Sequence, residues 1–215
     1  MSTAWTAPQR GLRPPEAILA FYCPTTNYED EWWRRPIQPN GAEDTGLEYD
    51  VLEAVQDKPI TSLGLLGAWD PLSDPHIMTD AHYHIVLHIN WKAQTLSVIT
   101  AGLPSRKKAN EIPDGTDWKA LPQPSLEQIR AVSPLAHVQD GNYKTPTFLI
   151  HGTADDLIPW QQSQGTYDAM LARGIPVELA LVEGAPHITD LSSNRNLKGW
   201  QAALRGYDFL CSYVF

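Results

Sequence analysis

Two polar side chains, an aspartate and a histidine, follow two successive apolar segments near the C-terminus of this 215-residue chain. Residues 147–150 lead into a His-Gly-Thr-Ala turn and then Asp155, whereas residues 177–182 lead into a short loop that carries His187. In a parallel sheet the ends of neighbouring strands meet at one edge, so these two side chains can come together. A histidine can take the proton of a nucleophile, and an aspartate can hold the imidazole tautomer and stabilise the imidazolium. The pair therefore predicts the acid–base part of a Ser-His-Asp site.

A second acid, Asp156, directly follows Asp155 and is a rival for the same role. Leu157 and Ile158 are apolar, and we expect them to turn back into the core. Asp155 comes first after the tight turn, so we expect it to point across the top of the sheet. We assign the orienting acid to Asp155 and the general base to His187. The alternative is that Asp155 caps a turn or helix and that His187 is an ordinary loop histidine.

The strands that must position this pair are short apolar runs. Residues 17–22, 147–150 and 177–182 each predict a buried strand, and helical patterns separate them. Strands that alternate with helices are typical of an α/β domain with a parallel sheet. The sequence therefore predicts an α/β fold with about three core strands and flanking helices.

Three helical segments accompany these strands. Ser125 and Gln128 form a capping box that opens a short helix ending near residues 133–134. A second helix is predicted over residues 159–173, with Tyr167, Met170 and Leu171 on one face. The last segment has apolar residues at helical spacing, and we expect this face to pack on the sheet. Its members are Leu197, Trp200, Leu204, Tyr207, Leu210 and Val214.

The segment over residues 25–124 is irregular and proline-broken, and it is too long for a simple crossover between two core strands. We interpret it as an inserted lid or cap of small helices. Its tryptophans either pack within the lid or line a substrate pocket. These are Trp32, Trp33, Trp69, Trp91 and Trp118.

A nucleophile is harder to find than the acid and the base. A catalytic serine of this kind lies inside a G-x-S-x-G turn, and that motif does not occur in the sequence. Ser62 has only the trailing glycine, and Cys23 ends a predicted strand without flanking glycines. We interpret Ser62 as a lid residue and Cys23 as a packing residue.

The remaining histidines are weaker candidates. His82 and His84 would share a strand face, as a metal pair can, but no second compact group of ligands accompanies them. We interpret the whole cluster as ordinary lid residues and expect no metal and no cofactor. His137 and His151 are expected to be structural, with His151 hydrogen-bonding in its turn. The cluster consists of His76, Asp80, His82, His84 and His88.

Composition excludes several classes of partner. The net charge of −9 argues against nucleic acid and anionic membranes, which need a basic face. Two cysteines are too few for a disulfide framework, and the first residues lack the apolar region of a signal peptide. The apolar runs are far shorter than a membrane span. We therefore expect a soluble, cytoplasmic, single-domain protein.

Residues 146–159 and 184–187 resemble the C-terminal half of the α/β-hydrolase family. The resemblance is closest to the esterase and prolyl-oligopeptidase-like branch, in which H-G-x-x-D-x-L-[VI]-P and G-x-x-H carry the acid and the base. Residues 14–22 resemble the strand that follows the nucleophile helix there. The resemblance implies a partial α/β-hydrolase fold and a small-molecule ester, amide or thioester substrate, as in fungal secondary-metabolite pathways.

In that family the nucleophile turn precedes the helix that leads into this strand, and residues 2–7 resemble the tail of that helix. We therefore expect residues 1–215 to form a single incomplete α/β-hydrolase domain, with the lid at about 25–124. The serine would be cut off by a truncated coding region, lost, or supplied by a complementing N-terminal chain. The exposed edge of the first strand would also favour self-association. The alternative is a degenerate, non-catalytic binding or partner protein.

Overall fold

The computed structural model of the chain describes residues 1–23, 27–36, 85–86, 88–90, 92–102, 122–187 and 197–214. The chain divides into two compact units. The first consists of Met1–Glu29 and Ile129–Phe215, and it contains the predicted acid and base. The second is Asp30–Gln128, which covers most of the segment predicted as a lid.

The first unit is built on a three-stranded parallel sheet. Its strands are β1 (Ile18–Phe21), β2 (Thr147–Gly152) and β3 (Val177–Val182), hydrogen-bonded in the order β1-β2-β3. In the register of this sheet Thr147 lies beside Ile18 on one side and beside Val177 on the other. The predicted α/β class, with a parallel sheet of three strands and flanking helices, is confirmed.

Burial differs sharply among the three strands. All six residues of β2, the central strand of the described sheet, are buried. In β1 only Ala20 is buried, and the other residues are half-buried. In β3 only Ala180 and Val182 are buried. The prediction of a buried strand is therefore wrong for β1 and for β3. Within the described sheet β1 is an edge strand with one hydrogen-bonded neighbour.

Several helices accompany this sheet in the described part of the chain. They are α1 (Thr3–Gln9), α2 (Thr95–Ala101), α3 (Leu126–Val132), α4 (Pro134–Gln139), α5 (Gln161–Ala172) and α6 (Leu197–Val214), with a 3₁₀ helix at Glu31–Arg34. The predicted capping box of α3 is confirmed. The backbone N–H of Ser125 donates to Gln128 Oε1 at 2.8 Å, and the N–H of Gln128 donates to Ser125 Oγ at 3.2 Å. Helix α4 was not predicted, since Pro134 marked an end, yet proline is also compatible with a helix start.

Helix α5 buries a face that is mainly polar. Met170 is buried as predicted, but Leu171 is exposed. Gln162, Ser163 and Thr166 are buried instead. Buried polar groups need partners, and these side chains have them. Gln162 accepts the backbone N–H of Asn27 through Oε1, the Thr166 hydroxyl donates to the carbonyl oxygen of Gln162, and Ser163 bonds His151.

Helix α6 packs on the sheet through small residues and Phe209, which contradicts the predicted face. Ala202 and Ala203 join the core that contains Phe148 and Ile150, and a Cβ atom on Gly206 would overlap the side chain of Leu19. Small side chains let the helix approach the sheet closely. The large apolar residues lie elsewhere on the helix and are between 40% and 60% exposed. They are Trp200, Leu204, Tyr207 and Val214.

The second unit contains α2 and the 3₁₀ helix in its described part. Leu96 is buried in α2, and Trp33 is buried in the 3₁₀ helix. The ring of Trp33 packs edge-on against that of Trp32, with 4.8 Å between the ring centres. The role of this segment as a lid stays a prediction, and Trp69, Trp91 and Trp118 lie outside the described residues. None of the helices in the described part of the chain combines the length and the apolarity that crossing a bilayer requires.

The loops after β2 and β3 approach each other closely at a glycine. A Cβ atom on Gly152, the last residue of β2, would overlap the carbonyl oxygen of Ala185 in the loop after β3. It would also lie 2.9 Å from the carbonyl oxygen of Pro186. Backbone atoms cannot give way as a flexible side chain can. Glycine at this position therefore lets the two loops meet.

We expect Gly152→Ala to lower the free energy of unfolding by about 1–3 kcal/mol, because the new methyl group forces the two loops apart. Urea denaturation of the variant and the wild type measures this change. Gly165→Ala is the matched control, since Gly165 lies in α5 with no atom within 4 Å of an added Cβ. That control should be neutral or stabilising by up to about 1 kcal/mol. Equal stability of the two variants would contradict the close approach at Gly152.

Candidate active site

The loop after β2 is organised around the carboxylate of Asp155. Its Oδ1 accepts the backbone N–H groups of Leu157 at 2.9 Å and of Ile158 at 2.8 Å. An aspartate that binds backbone N–H groups two and three residues ahead closes a tight turn with its own side chain. The Asp155 side chain is completely shielded from solvent. Asp156, the rival acid, is exposed.

The loop after β3 is bound to the loop after β2 by backbone hydrogen bonds. The N–H of Thr153 donates to the carbonyl of Val182, and the N–H of Ala154 donates to the carbonyl of Ala185, both at 3.0 Å. The N–H of Gly184 donates to the Thr153 hydroxyl oxygen at 2.8 Å. Gly184 has a φ of 68°, a conformation that glycine adopts without the cost of a side chain. The two turns therefore form one bonded unit at the carboxyl end of the sheet.

This unit brings Asp155 and His187 together. Nδ1 of His187 lies 2.8 Å from Oδ2 of Asp155. The carboxylate can only accept, so Nδ1 carries the hydrogen and Nε2 is left with its lone pair. The His187 side chain is 21% exposed, so the imidazole is only partly covered. Among the described residues none forms a hydrogen bond with Nε2 of His187, so this atom is able to accept a proton.

The environment of Asp155 keeps its carboxyl group ionised. Burial alone would raise the pKa of Asp155, but hydrogen bonds from His151, from His187 and from the backbone N–H of Ile158 outweigh it. The net result is a pKa well below the ordinary value of 3.8. An ionised carboxylate behind the imidazole is what a histidine base needs, because it stabilises the positive charge that the ring acquires.

Two further side chains touch this pair, and one of them was missed by the sequence analysis. The ring of Tyr22 packs against the imidazole of His187 with 5.2 Å between the ring centres. Tyr22 directly follows β1 and has a φ of 38°, which is rare for a residue with a side chain and is concentrated at functional sites. Its position at the end of a strand, on the edge that carries Asp155, was the available signal. His151 bonds in its turn as predicted and also contacts Asp155.

The other candidates from the sequence lie away from this pair or outside the described residues. His137 bonds the carbonyl of Ala131 and stacks on Trp5, which fits the predicted structural role. Cys23 is half-buried. His88 is buried in the second unit, and the described residues contain no group of three or more potential metal ligands. The candidates outside the described residues are Ser62, His76, Asp80, His82 and His84.

Comparisons with known proteins place this arrangement in context. Residues 101–214 match the model of the "Prolyl oligopeptidase family", and this range includes β2, β3 and both loops of the candidate site. The resemblance stated from the motifs is thus confirmed by an independent match over more than half of the chain.

Individual relatives come from fungal synthases. The chain is 46% identical over 224 residues to "5-methylorsellinic acid synthase" of Aspergillus terreus, with 100% of this chain and 8% of that protein covered. It is 42% identical over 229 residues to "Non-reducing polyketide synthase pkbA" of Emericella nidulans, with 98% and 9% covered. It is 38% identical over 214 residues to "Methylphloroacetophenone synthase" of Cladonia uncialis, with 98% and 8% covered. The chain thus spans less than a tenth of the length of each of these relatives.

We expect Asp155→Asn to remove an acid-sensitive part of the stability. The pKa of Asp155 is lower in the folded than in the unfolded chain, so the ionised carboxylate stabilises the fold above pH 3.8. This contribution is lost as the pH falls below that value. At neutral pH the variant should lose on the order of 2 kcal/mol, and its difference from the wild type should shrink as the pH falls from 5 towards about 2.

Urea denaturation at a series of pH values measures this difference. Asp156→Asn is the matched control, since the neighbouring carboxylate is exposed, and it should change stability much less at neutral pH. A difference between Asp155→Asn and the wild type that stays constant down to pH 2 would contradict the assigned ionisation of Asp155.

Proposed function

This chain belongs to the prolyl oligopeptidase family of α/β-hydrolases, and on that basis we propose that it carries the acid and base of a serine-type acyl-transfer or hydrolysis site. His187 is the general base, and Asp155 is the acid that orients it. The observation that carries the proposal is the 2.8 Å hydrogen bond between His187 Nδ1 and the buried Oδ2 of Asp155. The substrate class is an ester, thioester or amide of a small molecule.

The chemistry follows from the protonation states of this pair. As a serine hydroxyl attacks the substrate carbonyl, Nε2 of His187 takes the hydroxyl proton. The imidazolium that forms stays hydrogen-bonded to Asp155, which remains ionised. His187 then gives the proton to the leaving group, and an acyl-enzyme ester remains. Water or another acceptor attacks that ester in the same way, and the serine hydroxyl is restored.

We place the serine in a polypeptide segment outside these 215 residues. Three observations support this assignment. The sequence has no G-x-S-x-G turn, no described residue hydrogen-bonds Nε2 of His187, and the relatives are more than ten times longer than the chain. A preceding segment of the same protein or a separate complementing chain meets this need equally well.

The names of the relatives suggest the acyl group. "Non-reducing polyketide synthase" describes proteins that make polyketides, and an acyl transfer can release or pass on such a chain. We therefore assign a polyketide acyl ester or thioester as the substrate, and a role in secondary metabolism.

For the 215-residue chain alone, we expect p-nitrophenyl ester hydrolysis no faster than that of its His187→Ala variant, because the pair has no nucleophile to activate. Release of p-nitrophenol measures both rates under identical conditions. A rate that depends on His187 would contradict the external serine and would indicate a nucleophile within this chain.

For a protein extended at its N-terminus through an encoded G-x-S-x-G turn, we expect hydrolysis of the same ester and of an acyl thioester. His187→Ala should lower kcat about 10⁶-fold and Asp155→Asn about 10⁴-fold, the losses typical of removing the base or its orienting acid. Asp156→Asn is the matched control and should retain activity. An active extended protein that is indifferent to His187→Ala would contradict the assigned base.

The degenerate, non-catalytic partner protein is the competing function. The large apolar residues that α6 exposes, with Trp200, Leu204 and Tyr207 among them, favour it, since such surfaces often contact other proteins. An extended protein that carries the serine turn, folds and lacks activity would support this alternative.

A further inference from the structure

His151 is a second imidazole at the carboxylate of Asp155. It is the fifth residue of β2, and its side chain is completely buried. Its Nε2 lies 3.2 Å from Oδ2 of Asp155 and 3.0 Å from the carbonyl oxygen of Ile158. Its Nδ1 lies 2.7 Å from Oγ of Ser163 in α5. The ring therefore stands between the helix and the acid of the candidate site.

The partners of His151 fix where its hydrogen lies. A carboxylate oxygen and a carbonyl oxygen are both acceptors, so Nε2 carries a hydrogen, which is donated to the Ile158 carbonyl and lies close to Oδ2 of Asp155. Nδ1 then has a lone pair to accept the hydroxyl hydrogen of Ser163. This tautomer satisfies every polar atom of the ring, as a buried histidine requires.

The same oxygen of Asp155 serves two imidazoles. Oδ2 accepts a hydrogen from Nδ1 of His187 at 2.8 Å, and the hydrogen-bearing Nε2 of His151 lies 3.2 Å from the same oxygen. Oδ1 is occupied by the N–H groups of Leu157 and Ile158. The carboxylate thus accepts three hydrogen bonds and has a fourth N–H group 3.2 Å away, so its lone pairs are nearly all engaged. Donors that share one acceptor oxygen also share its negative charge, so each additional donor weakens the bond to the others.

We propose that His151 is a positioning residue that shares Oδ2 of Asp155 with His187 and thereby sets how strongly the carboxylate holds the His187 Nδ1 hydrogen. The proposal rests on the assignment of Asp155 and His187 as acid and base. Ser163 fixes the orientation of His151, because its hydroxyl is hydrogen-bonded to Nδ1 and holds the ring with Nε2 towards the carboxylate. The network then runs from α5 through His151 and Asp155 to His187.

A purely structural His151 would have different consequences. Such a residue would only join β2 to α5, and its removal would loosen the turn and weaken the bond between Asp155 and His187. A residue that shares Oδ2 has the opposite effect. Its removal leaves more of the negative charge on Oδ2 to the His187 Nδ1 hydrogen, which strengthens the bond between Asp155 and His187. The sign of the change in this one hydrogen bond distinguishes the two roles.

Proton NMR of the chain measures this bond through the chemical shift of the His187 Nδ1 hydrogen, which moves downfield as a hydrogen bond strengthens. We expect a downfield shift in His151→Phe, which keeps a ring but donates nothing. His151→Gln restores an N–H donor near the position of Nε2 and should return the resonance towards its wild-type position. A resonance in His151→Phe that is unmoved, displaced upfield or lost would overturn the proposal.

Ser163→Ala is the matched control for destabilisation. It removes a buried hydrogen bond of the same ring but leaves Nε2 with its hydrogen and its two acceptors. We expect it to lower stability without a downfield shift of the His187 resonance. A downfield shift in Ser163→Ala as large as that in His151→Phe would assign the effect to general loosening and overturn the proposal.

The wild-type chain offers a second measurement that does not depend on any variant folding. The Nε2 hydrogen of His151 and the Nδ1 hydrogen of His187 point at one oxygen, so a nuclear Overhauser effect between them is expected, and its absence would overturn the proposal. Both measurements concern hydrogen bonds alone. An inactive extended protein would therefore count against the proposed function without changing these hydrogen-bond results. An unmoved His187 resonance would count against this inference without changing the activity of the extended protein.

Discussion

Asp155 is a charged group without access to solvent, and the carboxyl end of the sheet is arranged so that this charge can be buried. An unpaired buried carboxylate is strongly unfavourable, and it would neutralise itself by taking up a proton. Here backbone N–H groups occupy one oxygen and two imidazoles occupy the other. The turn after β2, the tautomer of His187 and the orientation of His151 all follow from satisfying this one group.

The loops after β2 and β3 can supply these donors only because their backbones approach each other closely. The absence of a side chain at Gly152 admits the carbonyl group of Ala185, and Gly184 turns the chain after β3 through a left-handed conformation. Tyr22 then covers one side of the His187 ring from the end of β1, at the cost of an unfavourable φ. All three strands thus contribute to one site, which agrees with the general location of functional groups at the carboxyl ends of parallel strands.

Sequence patterns predicted the strands, the α/β class and the two loops, because buried strands and tight turns have local signatures such as apolar runs followed by His-Gly-Thr-Ala-Asp. They failed where the outcome depends on the distance between elements. Hydropathy places Trp200 and Leu204 on a core-facing stripe, but α6 faces the sheet with the small residues Ala202 and Gly206 instead. The contact of Tyr22 with the site likewise depends on tertiary packing, which no local pattern encodes.

The acid and the base follow strands that have different numbers of hydrogen-bonded neighbours in the described sheet. Asp155 follows β2, which has hydrogen-bonded neighbours on both sides, whereas His187 follows β3, which has one neighbour in the described sheet. Proteins open in parts, and a peripheral strand detaches at a smaller free-energy cost than the whole domain unfolds. Detachment of β3 separates imidazole from carboxylate while β1 and β2 remain paired. On heating, the hydrogen bond between the two side chains is therefore lost before global melting, and hydrogen exchange at the amides of β3 reports the opening that breaks it.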